Sequence, residues 1–296
     1  MNHLFIINPN AGKGKSLEII PLIEKIFKNM KDQYIIEITK SPGDATLIAK
    51  KYSSQKDYTI YSVGGDGTLN EVLNGMVNTN SQLAIIPTGS GNDFIKSISR
   101  KNEFNLENIL IDTISGTSKK TDVAIVNARY FINISSIGFD ADVVRNAMKF
   151  KKLPFIPSKL SYLFSIFLTV FSHKNKNLEI ILDDNKIYTK ITLMALCNGK
   201  FYGGGMLVAP QAKLCDGYFD VCLVEDLSIF KILTLFPKLI KGKHGEIKEV
   251  SFFKSRKAII KSEKELNLNI DGELVQAKHI EFEIKPNAIN VVYPSE

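Results

Sequence analysis

Cysteine is scarce and unpatterned in this chain, with Cys197, Cys215 and Cys222 the only three. An odd number without CxxC spacing excludes a disulfide framework and reads as the reduced thiols of a cytosolic protein. The four histidines, His3, His173, His244 and His279, are scattered, with no HExxH or paired-ligand spacing. That argues against a histidine metal centre and makes surface positions the expectation. Long apolar runs are missing as well. The longest, 160–171, falls well short of the ~20 residues a spanning helix needs. The first, 4–7, is too short for a signal-peptide core and lacks a basic leader. A soluble, cytoplasmic protein is expected. No basic block is long enough for a nucleic-acid arm, and no helix-turn-helix, zinc-finger or RNP-like pattern occurs, so no nucleic-acid partner is expected.

What is present suits a globular protein of two domains: 296 residues, 44% hydrophobic and 23% charged, against a prior of ~150 residues per domain. The net charge of +7 favours polyanionic partners such as an anionic membrane or phosphorylated small molecules. A solvated lysine-rich surface accounts for it equally well.

The first third alternates short apolar runs with helical patterns: strands at 4–7, 35–38, 58–63 and 83–86, helices at 17–30, 44–52 and 68–76. This order predicts an α/β domain with a doubly wound, mostly parallel sheet over residues 1–121. From 122 to 285 strand-like segments dominate, at 122–126, 130–134, 178–182, 187–197, 219–224, 258–261, 266–270 and 279–284. Two helical inserts, 158–171 and 228–240, interrupt them. This half reads as an antiparallel β-sandwich-like domain or open barrel, and the terminal strand 286–296 is a candidate to rejoin the first domain.

Three glycine-rich loops follow strands of the first domain, and a parallel sheet gathers such loops beyond the carboxyl ends of its strands. The first, Asn8-Pro9-Asn10-Ala11-Gly12-Lys13-Gly14-Lys15-Ser16, ends like a P-loop, but Pro9 stands where that motif needs glycine. It can still offer backbone N–H groups to phosphate. The second, Gly64-Gly65-Asp66-Gly67-Thr68-Leu69-Asn70-Glu71, lets backbone approach a ligand closely, and its Asp66 suits magnesium on nucleotide phosphates. Thr68 is the expected cap of the following helix. The third, Pro87-Thr88-Gly89-Ser90-Gly91-Asn92-Asp93-Phe94, adds hydroxyls and a further carboxylate.

At these residues the sequence resembles the diacylglycerol kinase catalytic family, which includes soluble bacterial lipid kinases and the sphingosine and ceramide kinases. The match continues through FINISSIGFDADV, NGKFYGGGM, QAKLCDGYFDV and NIDGE. NAD kinases share GGDGT but lack the later motifs. The resemblance implies an ATP- and magnesium-dependent kinase acting on the hydroxyl of diacylglycerol or a related lipid, with ATP between the domains. By motif match Asn8, Pro9, Asn10, Ala11, Gly12, Thr39, Gly64, Gly65, Asp66, Gly67, Thr68, Leu69, Asn70, Ser90 and Glu273 would contact ATP. Asp66, Asp93 and Asp122 would form an acidic network around magnesium. Asp271, in the family's DGE motif, would be the general base. Lys213, Asp216 and Tyr218 would hold a structural magnesium, at a segment where Cys215 replaces an acidic or polar residue of many relatives.

For the lipid, the apolar insert 160–171 carries a hydroxyl stripe (Ser161, Ser165, Thr169) and is flanked by Lys149, Lys151, Lys152, Lys159, Lys174 and Lys176. That suits peripheral docking on the inner face of a membrane. The second insert, with Lys231, Lys238, Lys241 and Lys243, is the weaker surface. Exposed strand edges leave a homodimer open. The rival readings are a kinase for a soluble substrate such as NAD, and a non-catalytic nucleotide- or lipid-binding regulator.

Overall fold

The computed structural model describes the backbone of residues 2–99, 105–150 and 158–295, and the side chains of all of these except 148–150 and 158–164. The first half runs β1 (Asn2–Ile7), α1 (Ile19–Phe27), β2 (Gln33–Ile38), α2 (Asp44–Ser53), β3 (Thr59–Gly64), α3 (Asp66–Met76), β4 (Gln82–Pro87), α4 (Ile95–Ile98) and α5 (Leu106–Ile114). The strands lie parallel in the order β2-β1-β3-β4. Strand periodicity explains why both faces are covered. Leu4 and Ile6 of β1 pack with Ala45, Ala49, Leu69 and Val72 on one side. Phe5 and Ile7 pack with Ile19, Ile23, Phe27 and Leu110 on the other.

The second half comprises β5 (Thr117–Val126), β6 (Arg129–Phe131), β7 (Ile134–Gly138), α6 (Phe139–Phe150), α7 (Ser158–Ser172), β8 (Lys176–Leu182), β9 (Asn185–Cys197), β10 (Phe201–Tyr202), β11 (Met206–Leu207), β12 (Phe219–Glu225), α8 (Ile229–Ile240), β13 (Val250–Ser255), β14 (Lys257–Ile270) and β15 (Glu273–Tyr293). Its pairs are antiparallel. One interior is apolar throughout, built on Phe131, Phe219 and Phe282 with the inward side chains of β8, β9 and β14. A second apolar layer lies beneath α8, where Ile232, Leu235 and Leu239 meet Cys197, Cys222 and Val224. The architecture is an N-terminal α/β domain followed by a β-rich domain with helical inserts. The long strand β15 joins them: it pairs with β14, then Asn290 and Val291 run parallel to Gln82 and Leu83 of β4, while β5 flanks it on both stretches.

Several elements differ from the sequence expectation. The first helix begins at Ile19, not 17, because Gly12, Lys13 and Gly14 all adopt left-handed backbone and the chain crosses 3₁₀ turns first. Helices α5 and α6 and strand β13 were not expected. The segments 258–261 and 266–270 are one strand, with a register break between Lys261 and Leu266. The histidine expectation is corrected. His3, His173 and His244 are buried and bonded to Tyr61 Oη, Asp142 Oδ2 and the Val208 carbonyl, respectively.

Candidate active site

The three glycine loops meet at the carboxyl ends of β1, β3 and β4. Thr88 and Gly89 N–H both donate to the Gly64 carbonyl (2.9 and 3.2 Å), which ties the third loop to the second. The glycines are needed for that approach. A Cβ at Gly89 would lie 2.4 Å from Gly65 Cα, and one at Gly12 would lie 2.3 Å from the Thr88 carbonyl oxygen. The first loop is tied in through Asn8, whose amide donates to Thr68 Oγ1 at 3.0 Å. Thr68 therefore does not cap α3, as the sequence had led us to expect. It holds the first loop instead, and α3 starts at Asp66 with Gly65 before it.

These loops form one wall of a cleft of about 540 Å³ whose opposite wall comes from the β-rich domain. Asn8, Asn10, Ala11, Gly12, Gly65, Asp66, Gly67, Thr68, Ser90 and Glu273 line it, with Asp93 and Asp271. Pro9, Thr39, Gly64, Leu69 and Asn70 do not. Thr39 donates its N–H to the Ile7 carbonyl beside the first loop, Leu69 belongs to the apolar core, and Asn70 works from behind.

Asp271 and Gly272 have φ of 46° and 95° and form the two-residue turn of the β14–β15 hairpin, where Ile270 faces Glu273. The Asp-Gly pair is the sequence such a left-handed turn demands. The turn carries the Asp271 carboxylate into buried surroundings among four N–H donors. Oδ2 accepts from Asn70 Nδ2 and Ile132 N, and Oδ1 from Asn133 N and Ile134 N, at 3.0–3.2 Å. Burial pushes its pKa up to about 6, and the bonds from Ile132, Asn70 and Ile134 oppose the rise. The result is a fixed carboxylate that is charged above that pH.

Asp66 and Asp93 stand side by side. Asp93 N–H donates to Asp66 Oδ1 at 2.9 Å, and burial together with the Asp93 charge raises the Asp66 pKa. A Cβ at Gly91 would lie 2.8 Å from Asp66 Oδ2 and 3.7 Å from Asp93 Oδ2. Both carboxylates thus face a hollow that only glycine leaves open. Among the described residues no three His, Cys, Asp or Glu side chains form a metal cluster. Magnesium needs only one or two carboxylates beside phosphate oxygens, so Asp66 fits it in chemistry, and Asp93 would join it by sharing a carboxylate already bonded to Lys96 Nζ and Gly204 N–H.

Asp122 is corrected out of that network. It is fully buried, and its two oxygens accept from Gly217 N (2.7 Å) and Asn287 N (2.8 Å). It pins the 213–218 loop to β15 and does not line the cleft. In the second metal set, the Asp216 carboxylate with the main-chain carbonyls of Lys213 and Tyr218, the carboxylate is already engaged. Asp216 Oδ1 accepts from Tyr218 N, and Oδ2 is paired with Lys254 Nζ at 2.6 Å. Lys254 also reaches Asp220 at 3.1 Å, so an ammonium already neutralises this loop. Cys215 is exposed beside it, and Lys254 would have to release Asp216 before a cation could bind there.

Three contributors escaped sequence reasoning. Lys96 Nζ bonds Asp93 Oδ1 (2.8 Å) and the Gly91 carbonyl (3.0 Å); its spacing of three from Asp93 was the available signal. Arg129 holds Glu273 at 2.7 Å and Asn70 Oδ1 at 2.8 Å, so one guanidinium ties both walls together. Gly204 N–H donates to Asp93 Oδ2 at 2.9 Å, and Gly203, Gly204 and Gly205 all have positive φ. The GGG run is thus the second domain's clasp on the acidic pair.

Comparison with known proteins agrees with this geometry. Residues 2–126 match the family model described as the diacylglycerol kinase catalytic domain. Residues 133–293 match that described as the YegS C-terminal NAD kinase beta sandwich-like domain. A diacylglycerol kinase of Staphylococcus aureus (strain MRSA252) is 31% identical, over 90% of this chain and 84% of its own length. One from Bacillus subtilis (strain 168) is 27% identical over 98% and 96%. A crystal structure described as "a putative diacylglycerol kinase from Bacillus anthracis str. Sterne" superposes with a TM-score of 0.77 at 27% identity, covering 99% of this chain and 97% of that one. The chain belongs to the diacylglycerol kinase family, and it is an enzyme, a kinase of that type.

Proposed function

We propose that this chain transfers the γ-phosphoryl group of ATP, with magnesium, to the free hydroxyl of diacylglycerol or a closely related lipid at a membrane surface. The observation that carries the reading is the position of Asp271, a fixed carboxylate facing three phosphate-sized glycine loops across one cleft. Phosphoryl transfer asks a protein for positioning, charge neutralisation and a route for the hydroxyl proton. The backbone N–H groups of residues 65–68, 90 and 91 supply positioning, while those of Asn10, Ala11 and Gly89 hold the loops in shape. Asn8 and Thr68 hold the loops in register from behind, and Glu273 closes the cleft from the other domain. Magnesium, when bound, supplies neutralisation of the phosphate oxygens, and Asp66 with Asp93 would hold it. Asp271 takes the hydroxyl proton late, as charge develops on oxygen. A pKa of about 6 leaves it ionised yet more basic than an ordinary carboxylate.

The lipid half rests on exposed apolar surface. Phe230 of α8 is 81% exposed and Leu233 52%; Phe167 and Phe171 of α7 are 59% and 62% exposed. An apolar patch of this kind marks an interaction surface. No helix among the described residues is long and apolar enough to cross a membrane, so docking would be peripheral. The lysine ring contributes less than its count implies. Lys231 and Lys238 are paired with Glu249 and Glu246, and Lys151, Lys152 and the side chains of Lys149 and Lys159 lie outside the described residues. The apolar faces of both helices therefore carry the argument, and α8 is no weaker than α7. A soluble acceptor such as NAD is the second reading, favoured only by the description of the C-terminal family model.

The test is transfer of labelled γ-phosphate from ATP-magnesium to diacylglycerol in mixed micelles. Ceramide, a sphingoid base and lipid-free NAD run in parallel, with Asp271→Asn and Asp66→Ala alongside. Lipid labelling lost in both variants is the expected result. Labelling of NAD alone would hand the protein to the second reading, and a folded, ATP-binding protein that labels nothing would defeat both.

A further inference from the structure

One buried carboxyl in the cleft is unused by the chemistry above. Asp140 opens α6 and lines the cleft beside Asn133, Asn269 and Asp271. Its side chain is buried and its two oxygens differ. Oδ2 accepts from Ser136 Oγ and, at 3.3 Å, from Asn269 Nδ2. Oδ1 has no hydrogen-bond partner among the described residues, and the adjacent Ala141 N–H also acts on the carboxyl, opposing the rise in its pKa. A buried polar atom without a partner is rare and costly. Burial, reinforced by the nearby Asp142 charge, raises the Asp140 pKa, and Ser136 and Asn269 oppose it. The shift is toward the protonated form, for which Oδ1 is the oxygen left open.

Asp140 is also on the wall of a second, apolar cavity. Behind it Phe139, Val143, Ile166, Leu193, Val224 and Leu235, with others, enclose about 40 Å³ between α6, α7 and α8. Asp140 and Tyr202 are the residues common to both spaces. That volume takes only the first carbons of a chain. Ile166 of α7 and Ile232, Leu235 and Leu239 of α8 line it, and the same two helices expose Phe167, Phe171, Phe230 and Leu233. Asp140 thus stands where the polar cleft borders the apolar cavity, with one oxygen unpartnered, as is Asn133 Oδ1 on the same cleft. Asn269 fixes the scale. It bonds Asp140 with Nδ2 and the Asp271–Gly272 turn with Oδ1 (Gly272 N, 2.9 Å), and Asn269 and Asp271 are one strand repeat apart, ~7 Å. An acylglycerol has its polar groups in this order: a free hydroxyl, then an ester carbonyl on the neighbouring carbon, then a hydrocarbon chain.

We propose that Asp140 is the residue that recognises the acyl ester of the acceptor lipid, its Oδ1 hydrogen-bonding the ester carbonyl while the chain leaves through the apolar cavity between α7 and α8. The proposal rests on the lipid-kinase reading and names the part of the acceptor that the site selects. A neutral carboxyl donates to an ester carbonyl and offers an ether oxygen a much poorer partner. The site is consequently built for esters over ethers. Asp142, two residues on, plays a different part: His173, Lys176 and Asn267 surround it.

The experiment compares a 1,2-diacylglycerol with the 1,2-dialkylglycerol of equal chain length, both in mixed micelles, as acceptors for wild type, Asp140→Ala and Asp140→Asn. Wild type is expected to favour the ester in kcat/KM by on the order of tenfold or more, the size of one good buried hydrogen bond. Asp140→Ala should bring the ratio close to one and leave the KM for ATP unchanged. Asp140→Asn, which keeps an N–H donor at the same place, should retain part of the preference. The ratio is internal to each variant, so partial unfolding lowers both rates together and leaves it intact. An ester preference unchanged in Asp140→Ala would overturn the proposal, as would a wild type without preference. Loss of all turnover in Asp140→Asn would also overturn it by assigning the residue to folding or chemistry. If wild type phosphorylates neither lipid, the lipid-kinase reading itself fails, and that result is distinct from the others.

Discussion

Replacing Asp271 by asparagine separates two consequences of one buried carboxylate. The first is catalytic: removing a positioned base should lower kcat/KM for lipid by ~10²–10⁴ with little change in the KM for ATP. The second is a pH-dependent stability difference. The folded pKa of about 6 lies above the ordinary 3.8, so the folded state favours the protonated carboxyl. Its contribution to stability is full below about pH 4 and lost as pH rises through about 6. The gap of about 2 pKa units corresponds to ~3 kcal/mol. The amide carries no such dependence but turns an NH₂ toward two of the four N–H donors that now surround the carboxylate. Each orphaned donor costs ~1–3 kcal/mol at every pH. The variant should therefore be less stable than wild type at pH 4, with the difference narrowing by roughly 2–3 kcal/mol by pH 8. Urea unfolding of both proteins without nucleotide, across pH 4–8, measures the narrowing; the rate profile of wild type should rise to a plateau above about pH 6. A gap that stays constant with pH, or a variant within tenfold of wild-type kcat/KM, would refute this account of Asp271.

Gly89→Ala puts a Cβ 2.4 Å from Gly65 Cα, so one phosphate loop must shift. Steady-state kinetics should give a KM for ATP raised about tenfold and a KM for lipid unchanged, with ~1–3 kcal/mol lost in a melt. Asp122→Ala orphans the Gly217 and Asn287 N–H groups and should cost ~2–6 kcal/mol in urea unfolding. Turnover per folded molecule should persist, and a well-folded but inactive variant would return Asp122 to the magnesium network. Phe230→Asp should weaken sedimentation with phosphatidylglycerol-containing vesicles by roughly tenfold or more, given ~1.5–3 kcal/mol for one buried phenylalanine. Activity on a short-chain, water-dispersed diacylglycerol should be spared.

Much of this was legible because it was local. Loops after strands, an Asp-Gly turn and alternating apolar runs are written in neighbouring residues, and they located the cleft and its carboxylates. What stayed hidden depended on distant segments. Glycine after Gly12 reads as a helix entry, yet three successive left-handed residues make it a bend. Three histidines read as surface residues, but their partners are a tyrosine, an aspartate and a carbonyl from elsewhere in the chain. Arg129 and Lys96 carry no motif signal, because their value lies in bridging loops that only the fold brings together.

The acidic residues show the same limit in sharper form, since a sequence gives a carboxylate's existence and not the atoms that fill its lone pairs. Asp122 accepts one backbone N–H on each oxygen, from the 213–218 loop and from β15, and is fully buried off the cleft lining, the position of a brace. Asp271 accepts two N–H donors on each oxygen and borders the cleft with its pKa lifted by burial, so it takes the hydroxyl proton by giving up one of those four bonds. Asp66 is half-satisfied and faces the Gly91 hollow beside a second negative charge, the situation in which a cation is most welcome. Asp140 is satisfied on one oxygen and empty on the other, at the boundary between polar and apolar space. Four aspartates that look alike in the sequence thus divide into brace, base, cation holder and carbonyl partner by the donors already on each carboxyl together with whether it borders the cleft. That criterion also explains why a motif match alone assigned Asp122 wrongly, for a motif records the residue and omits the donors that arrive from 95 and 165 residues away.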